Sequence, residues 1–253
     1  MWACSRSNPD WKRRLPLCHA GGAMPNARKT QFLLGIDTCG PSGSVALGRP
    51  TGESVEILEQ IELEGRNYSA TLVAAVASLL ANAGVALNGL GAIVAVNGPG
   101  SFTGVRVGLS AVKGLAEAAQ IPVVAVSRLE VLAWKAGVGS AALDAHRHEV
   151  FLRLSETRGA ARERLAGAEE LAALRPADGQ IALCDEAAGA LLSAEWPDVR
   201  LAQTGPPTAA DALKLCASRV AQGDFVDLAL LDGNYLRRSD AEIFGEAARV
   251  KSA

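Results

Sequence analysis

The alternation of apolar and polar positions becomes regular from residue 31 onward. FLLGID (32–37) and SVALG (44–48) are short apolar runs divided by the turn-forming CGPSG, and SVEILEQI (54–61) continues as a third, alternating run. Three such runs in succession predict a meander of three strands. In YSATLVAAVASLLANAG, the residues Tyr68, Leu72, Val76, Leu79, Leu80 and Ala83 recur at helical spacing, and Gly84 stands where a helix C-terminus favours glycine. AIVAVN (92–97) predicts a buried strand, and Phe102, Val105, Leu109, Val112, Leu115 and Ala119 mark a second helix. The predicted order is βββαβα.

After Pro122 the alternation restarts. It predicts a strand VVAV, a helix RLEVLAWKA, strands SAALDA and EVFLRL, a strand IALCD, a short helix EAAGALL and a helix TAADALKLCASRVAQG (208–223). Mixed strands and helices in two similar halves imply a two-lobed α/β protein, with a first lobe over 31–121 and a second over 122–253, whose C-terminal segment can return to the first.

The first 30 residues lack any periodic apolar face. They hold six basic residues against the single acid Asp10 and read as a tail or an over-extended translation start, with Met24 as initiator. The rest of the chain then carries 19 basic and 26 acidic residues, an acidic body ill suited to bind nucleic acid unaided. No apolar run reaches the ~20 residues that span a bilayer. The five cysteines are odd in number, scattered and never form CxxC, which argues against a disulfide framework or a zinc site.

Chemistry is concentrated in VNGPGSFTGVRVG (96–108). A Walker loop needs GxxxxGK[ST], and no lysine stands where one is required; a dinucleotide fingerprint needs glycine where Thr103 stands. What remains is a strand end, a tight turn and a helix N-terminus capped by Ser101. Its free amides around Gly100 and Ser101 either hold an anion or simply connect strand to helix. In the following helix Gly104, Gly108 and Ala111 form a stripe with almost no side chain. Each helical glycine costs up to ~1 kcal/mol against alanine, so the stripe needs close backbone approach, either by this lobe or by a helix of another chain. Asp144, His146 and His148 would share one face of a continuous strand as a three-ligand metal set, or would be scattered by a hairpin turn.

Taken together, GIDTCGPSGSVAL (35–47), VNGPGSFTGVRVGLSAVKGLA (96–116), IPVVAVSRLEVLA (121–133), LDAHRHEVF (143–151) and NYLRRSDAE (234–242) resemble the TsaB (YeaZ) family along residues 32–242. The resemblance implies a two-lobed actin/Hsp70-like (ribonuclease H-like) fold, each lobe a mixed sheet with flanking helices. It implies a non-catalytic, cytoplasmic subunit without cofactor or metal. That subunit pairs with the paralogue TsaD, and the ATPase TsaE joins them, to make threonylcarbamoyladenosine in tRNA; tRNA is met only through the complex. The corresponding family stretch usually reads DARRGEVY, which favours a turn at His146 to His148. In ATPases of this fold an Asp ends the first strand and positions metal-bound phosphate, which makes Asp37 and Thr38 the place to look for a nucleotide. The family pairs through its first two long helices, so the expected partner contacts are Tyr68, Leu72, Val76, Leu109 and Val112, with Gly104 and Gly108 setting the approach. The same helices would serve a homodimer. The competing reading is a stand-alone acyltransferase or glycoprotease-like peptidase, which needs metal ligands or a base beside Ser101.

Overall fold

The computed structural model describes residues 32–65, 67–156 and 161–237. The N-terminal tail with Met24, and the end of the NYLRRSDAE stretch, lie outside the described residues. The chain opens with β1 (Phe32–Asp37), β2 (Ser42–Thr51) and β3 (Ser54–Glu64), the expected meander, β2 pairing antiparallel with both neighbours. All of β1 after Phe32 is buried, because helices cover both of its faces; hence the run is continuous rather than alternating.

Helix α1 (Tyr68–Asn82) ends before Gly84, which takes a left-handed φ of 63°, and a 3-10 turn leads into β4 (Leu90–Val96), parallel to β1. Helix α2 (Phe102–Ala119) then crosses to β5 (Val123–Val126), parallel to β4. The first sheet runs β3-β2-β1-β4-β5. VVAV, placed by sequence at the start of the second lobe, is therefore the closing strand of the first sheet. The crossover through α2 delivers the chain directly beside β4.

Helix α3 (Arg128–Ala136) leads to β6 (Ala141–Asp144), β7 (Val150–Leu154), β8 (Arg162–Ala166), α4 (Ala168–Ala172), β9 (Gln180–Leu183), α5 (Glu186–Glu195) and β10 (Arg200–Gln203). The second sheet runs β10-β9-β6-β7-β8, with β6, β7 and β8 antiparallel and β6, β9 and β10 parallel. This repeats the plan of the first sheet strand for strand. It is the two-lobed actin/Hsp70-like, ribonuclease H-like architecture.

The lobes exchange helices. α3 follows the first sheet yet packs on β6, β7 and β9, while α6 (Ala209–Leu215) follows the second sheet and packs across β1, β2, β3 and β4. Gly35 admits α6: a Cβ there would lie 2.7 Å from the carbonyl oxygen of Ala209. The single helix expected over 208–223 breaks at Cys216 into α6 and α7 (Ala217–Gln222). The bend keeps Ala212 and Leu213 on the sheet centre and Ala217 and Val220 buried beyond it, α7 lying on β3. β8, α4 and β10 are short and half-exposed, so their apolar periodicity is too weak to read.

Candidate functional site

Asp37 ends β1 with 1% of its surface exposed. One carboxylate oxygen accepts the Cys39 N–H at 2.8 Å; the other lies 3.5 Å from Nε of Arg128, itself buried at the start of α3. The Arg128 amide donates to the carbonyl of Gly98 at 2.6 Å. Burial opposes the charge on Arg128, but Asp37 and the thiols of Cys39 and Cys184 hold its pKa above the ordinary guanidinium value. Burial, and then Asp37, pushes the Cys39 thiol well up and lifts the Tyr68 phenol to about 12. That phenol donates to the Gly40 carbonyl at 2.9 Å. The Asp37 loop is therefore closed by the chain's own groups.

The glycine loop lies against it. The Ser101 N–H donates to the Cys39 carbonyl at 2.8 Å, and the Ser101 hydroxyl caps α2 by accepting the Gly104 N–H at 3.3 Å. A Cβ at Gly100 would fall 2.1 Å from the Cys39 oxygen. The Ser101 amide, one of those that could have held an anion, thus serves the turn. Thr38 donates its hydroxyl to the Gly104 carbonyl at 2.7 Å. Cβ atoms at Gly104 and Gly108 would meet Thr38 at 2.0 and 2.2 Å. Of the two readings of the glycine stripe, close approach comes from within the lobe: α2 needs glycine because the β1 loop rests on it.

The remaining expected contacts are buried. Val76, Leu109 and Val112 belong to the buried core of the first lobe. Tyr68 and Leu72 are buried as well but form the floor of an open groove of about 350 Å³ between the two helices. Its walls are Ser69 and Val73 from α1 and Arg106, Val107, Ser110 and Ala111 from α2. Val73 is 58% exposed, and α1 carries no charged residue at all. Sequence periodicity passed over Val73 and Val107 because each sits off the buried stripe of its own helix. Arg106 extends the groove, lying 5.5 Å from the ring of Phe102 and 5.7 Å from that of Tyr235, which stack on each other at 5.2 Å.

Between β6 and β7 the chain turns, with His146, Arg147 and His148 all left-handed at φ of 61°, 58° and 59°. His146 pairs with Asp144 at 2.9 Å, and among the described residues no three of His, Cys, Asp and Glu converge as a metal site. No helix among them is long and apolar enough to cross a membrane.

The family model described as TsaD, tRNA N6-adenosine threonylcarbamoyltransferase, matches residues 56–190. A solved structure titled YeaZ from Pseudomonas aeruginosa is 32% identical, superposes with a TM-score of 0.66, and is covered over its whole length by 81% of this chain. The chain belongs to the TsaB/YeaZ family. It is 40% identical over 126 residues to the tRNA threonylcarbamoyladenosine biosynthesis protein TsaB of Bacillus subtilis (strain 168), covering 48% of this chain and 54% of that protein. It is 34% identical over 125 residues to the protein of the same name from Escherichia coli (strain K12), covering 47% and 52%. The chain spans about half the length of the curated relatives it matches.

Proposed function

We propose that this chain serves threonylcarbamoyladenosine biosynthesis in tRNA as a non-catalytic cytoplasmic subunit. It pairs through the α1–α2 groove with a TsaD-like catalytic paralogue, and a TsaE-like ATPase joins the pair. The observation that carries the non-catalytic reading is the closed Asp37 loop. The carboxylate that would serve a metal-bound phosphate is buried against Arg128 and the Cys39 amide. The competing reading is a peptidase or acyltransferase working alone; in it Ser101, whose hydroxyl oxygen caps α2, would still need a base to take its proton.

Partner binding is supported by the groove. Its apolar wall at Val73 is solvent-exposed, and among the described residues its only charge is Arg106. An exposed apolar strip rimmed by one cation fits a partner helix of small and apolar residues with an acidic side chain at its edge. The acidic body implies that tRNA is contacted through the partner. Mixing the purified chain with TsaD-like and TsaE-like proteins, ATP, threonylcarbamoyl adenylate as the group donor and unmodified tRNA tests the proposal. Modified adenosine is expected only when all three proteins are present; formation by the isolated chain, or equal formation without it, would overturn the proposal.

A further inference from the structure

The segment from Leu231 to Arg237 belongs to neither sheet, yet it is bonded to both lobes. On the first lobe, the Asn234 N–H donates to the Asn97 carbonyl at 2.7 Å, and the Asn97 side chain donates to the Asp232 carbonyl at 3.3 Å. Leu231 is buried, and Tyr235 stacks on Phe102 in the first turn of α2. On the second lobe, the Asn234 side chain donates to Glu163 of β8 at 2.6 Å. Arg237 donates to the Ala145 carbonyl at 2.6 Å, pairs with Glu149, and lies over the ring of Phe151 of β7. The seven residues thus hold anchors on both lobes, with Asn234 bonded to each. The hairpin they grip holds three residues in the left-handed region, a conformation that costs energy for each non-glycine residue and persists only where surroundings fix it.

We infer that residues 231–237 are an interlobe strap that fixes the angle between the two sheets and, through Arg106 on the Tyr235–Phe102 stack, joins that angle to the α1–α2 face. Arg106 is shared: one side of it lines the groove, the other covers the stack. A partner that draws the guanidinium toward its own carboxylate therefore acts on the anchor of the strap. This second step rests on the proposed partner role, whereas the strap itself does not.

The test uses the full chain with Asn234→Ala, Tyr235→Ala and Arg237→Ala combined. Residual dipolar couplings of the backbone amides are fitted to each lobe separately. In the wild type both lobes are expected to share one alignment tensor. In the triple variant each lobe should still fit its own structure but with separate tensors, and the amides of Ala145 and Glu149 should exchange about tenfold faster as local opening rises. A triple variant that keeps one shared tensor and wild-type exchange overturns the strap. Should the triple variant not fold, Arg237→Gln alone is measured in the same way; faster exchange confined to 145–149 supports the strap and unchanged exchange refutes it. Adding a TsaD-like partner to the wild type then reads the second step. Altered exchange at 145–149 in the wild type but not in Tyr235→Ala supports it, and no change in either refutes it while leaving the strap intact.

Discussion

Thr38 decides what the glycines of α2 are for. A leucine at Gly108 would place its Cβ 2.2 Å from the Thr38 hydroxyl, which is already committed to the Gly104 carbonyl. Overpacking of this kind costs about 3 kcal/mol, so Gly108→Leu should lower the melting temperature by about 10 °C. Gly114, two turns further on, has open space around its Cβ direction. Gly114→Ala should instead stabilise the protein by about 0.5–1 kcal/mol, read by urea titration. A fall for both, or for neither, would contradict the assignment of the close approach to Thr38. Arg128 follows the same logic with charge. Arg128→Met would leave Asp37 buried without its cation, and loss of one partner from a buried pair costs about 3–5 kcal/mol.

At the scale of elements, buried thiols link the first strand and the α6–α7 break to pH. Burial raises the pKa of Cys39 at the end of β1 and pushes Cys216 between the two helices up to about 12. Folded thiols then keep their protons while unfolded ones release them above an ordinary thiol pKa of about 8.5. The unfolded state binds fewer protons there, so the stability is fully present below that value and is lost as pH rises from it toward the folded pKa. The thiols' contribution to the unfolding free energy in urea should therefore be flat below about pH 8 and decline above about pH 9, so that Cys39→Ala with Cys216→Ala makes the alkaline decline shallower. A decline of equal slope in that double variant would place the titrating groups elsewhere. The elements also show what periodicity can and cannot reveal. The strands β1, β2, β3 and β4 and helices α1 and α2 were legible because each buries a long stripe against one sheet. β8, α4 and β10 were not, since RERLA, AEELA and RLAQ each fully bury at most one side chain. In the candidate site, the glycine stripe announced a close approach but not its partner, for Thr38 lies 66 residues from Gly104 and no spacing rule connects them. Arg128 looked like an ordinary first-turn residue of α3; only the fold brings it to Asp37.

Across the whole molecule, the exchange of α3 and α6 links two topologically equal lobes, and the groove between α1 and α2 is left as an apolar, charge-poor outer face. The account rests on that face receiving a catalytic partner. Val73→Arg tests it without touching the core, because the side chain is solvent-exposed and the new cation would stand in the groove that Arg106 already lines. Loss of a central contact costs about 2 kcal/mol, or roughly 30-fold in affinity. The decisive measurement titrates wild-type and Val73→Arg chains into fixed TsaD-like and TsaE-like proteins with ATP, threonylcarbamoyl adenylate and tRNA, and follows the threonylcarbamoyladenosine formed. The account predicts an unchanged melting temperature and a half-saturating concentration about 30-fold higher for Val73→Arg; superimposable titrations for the two chains would contradict it.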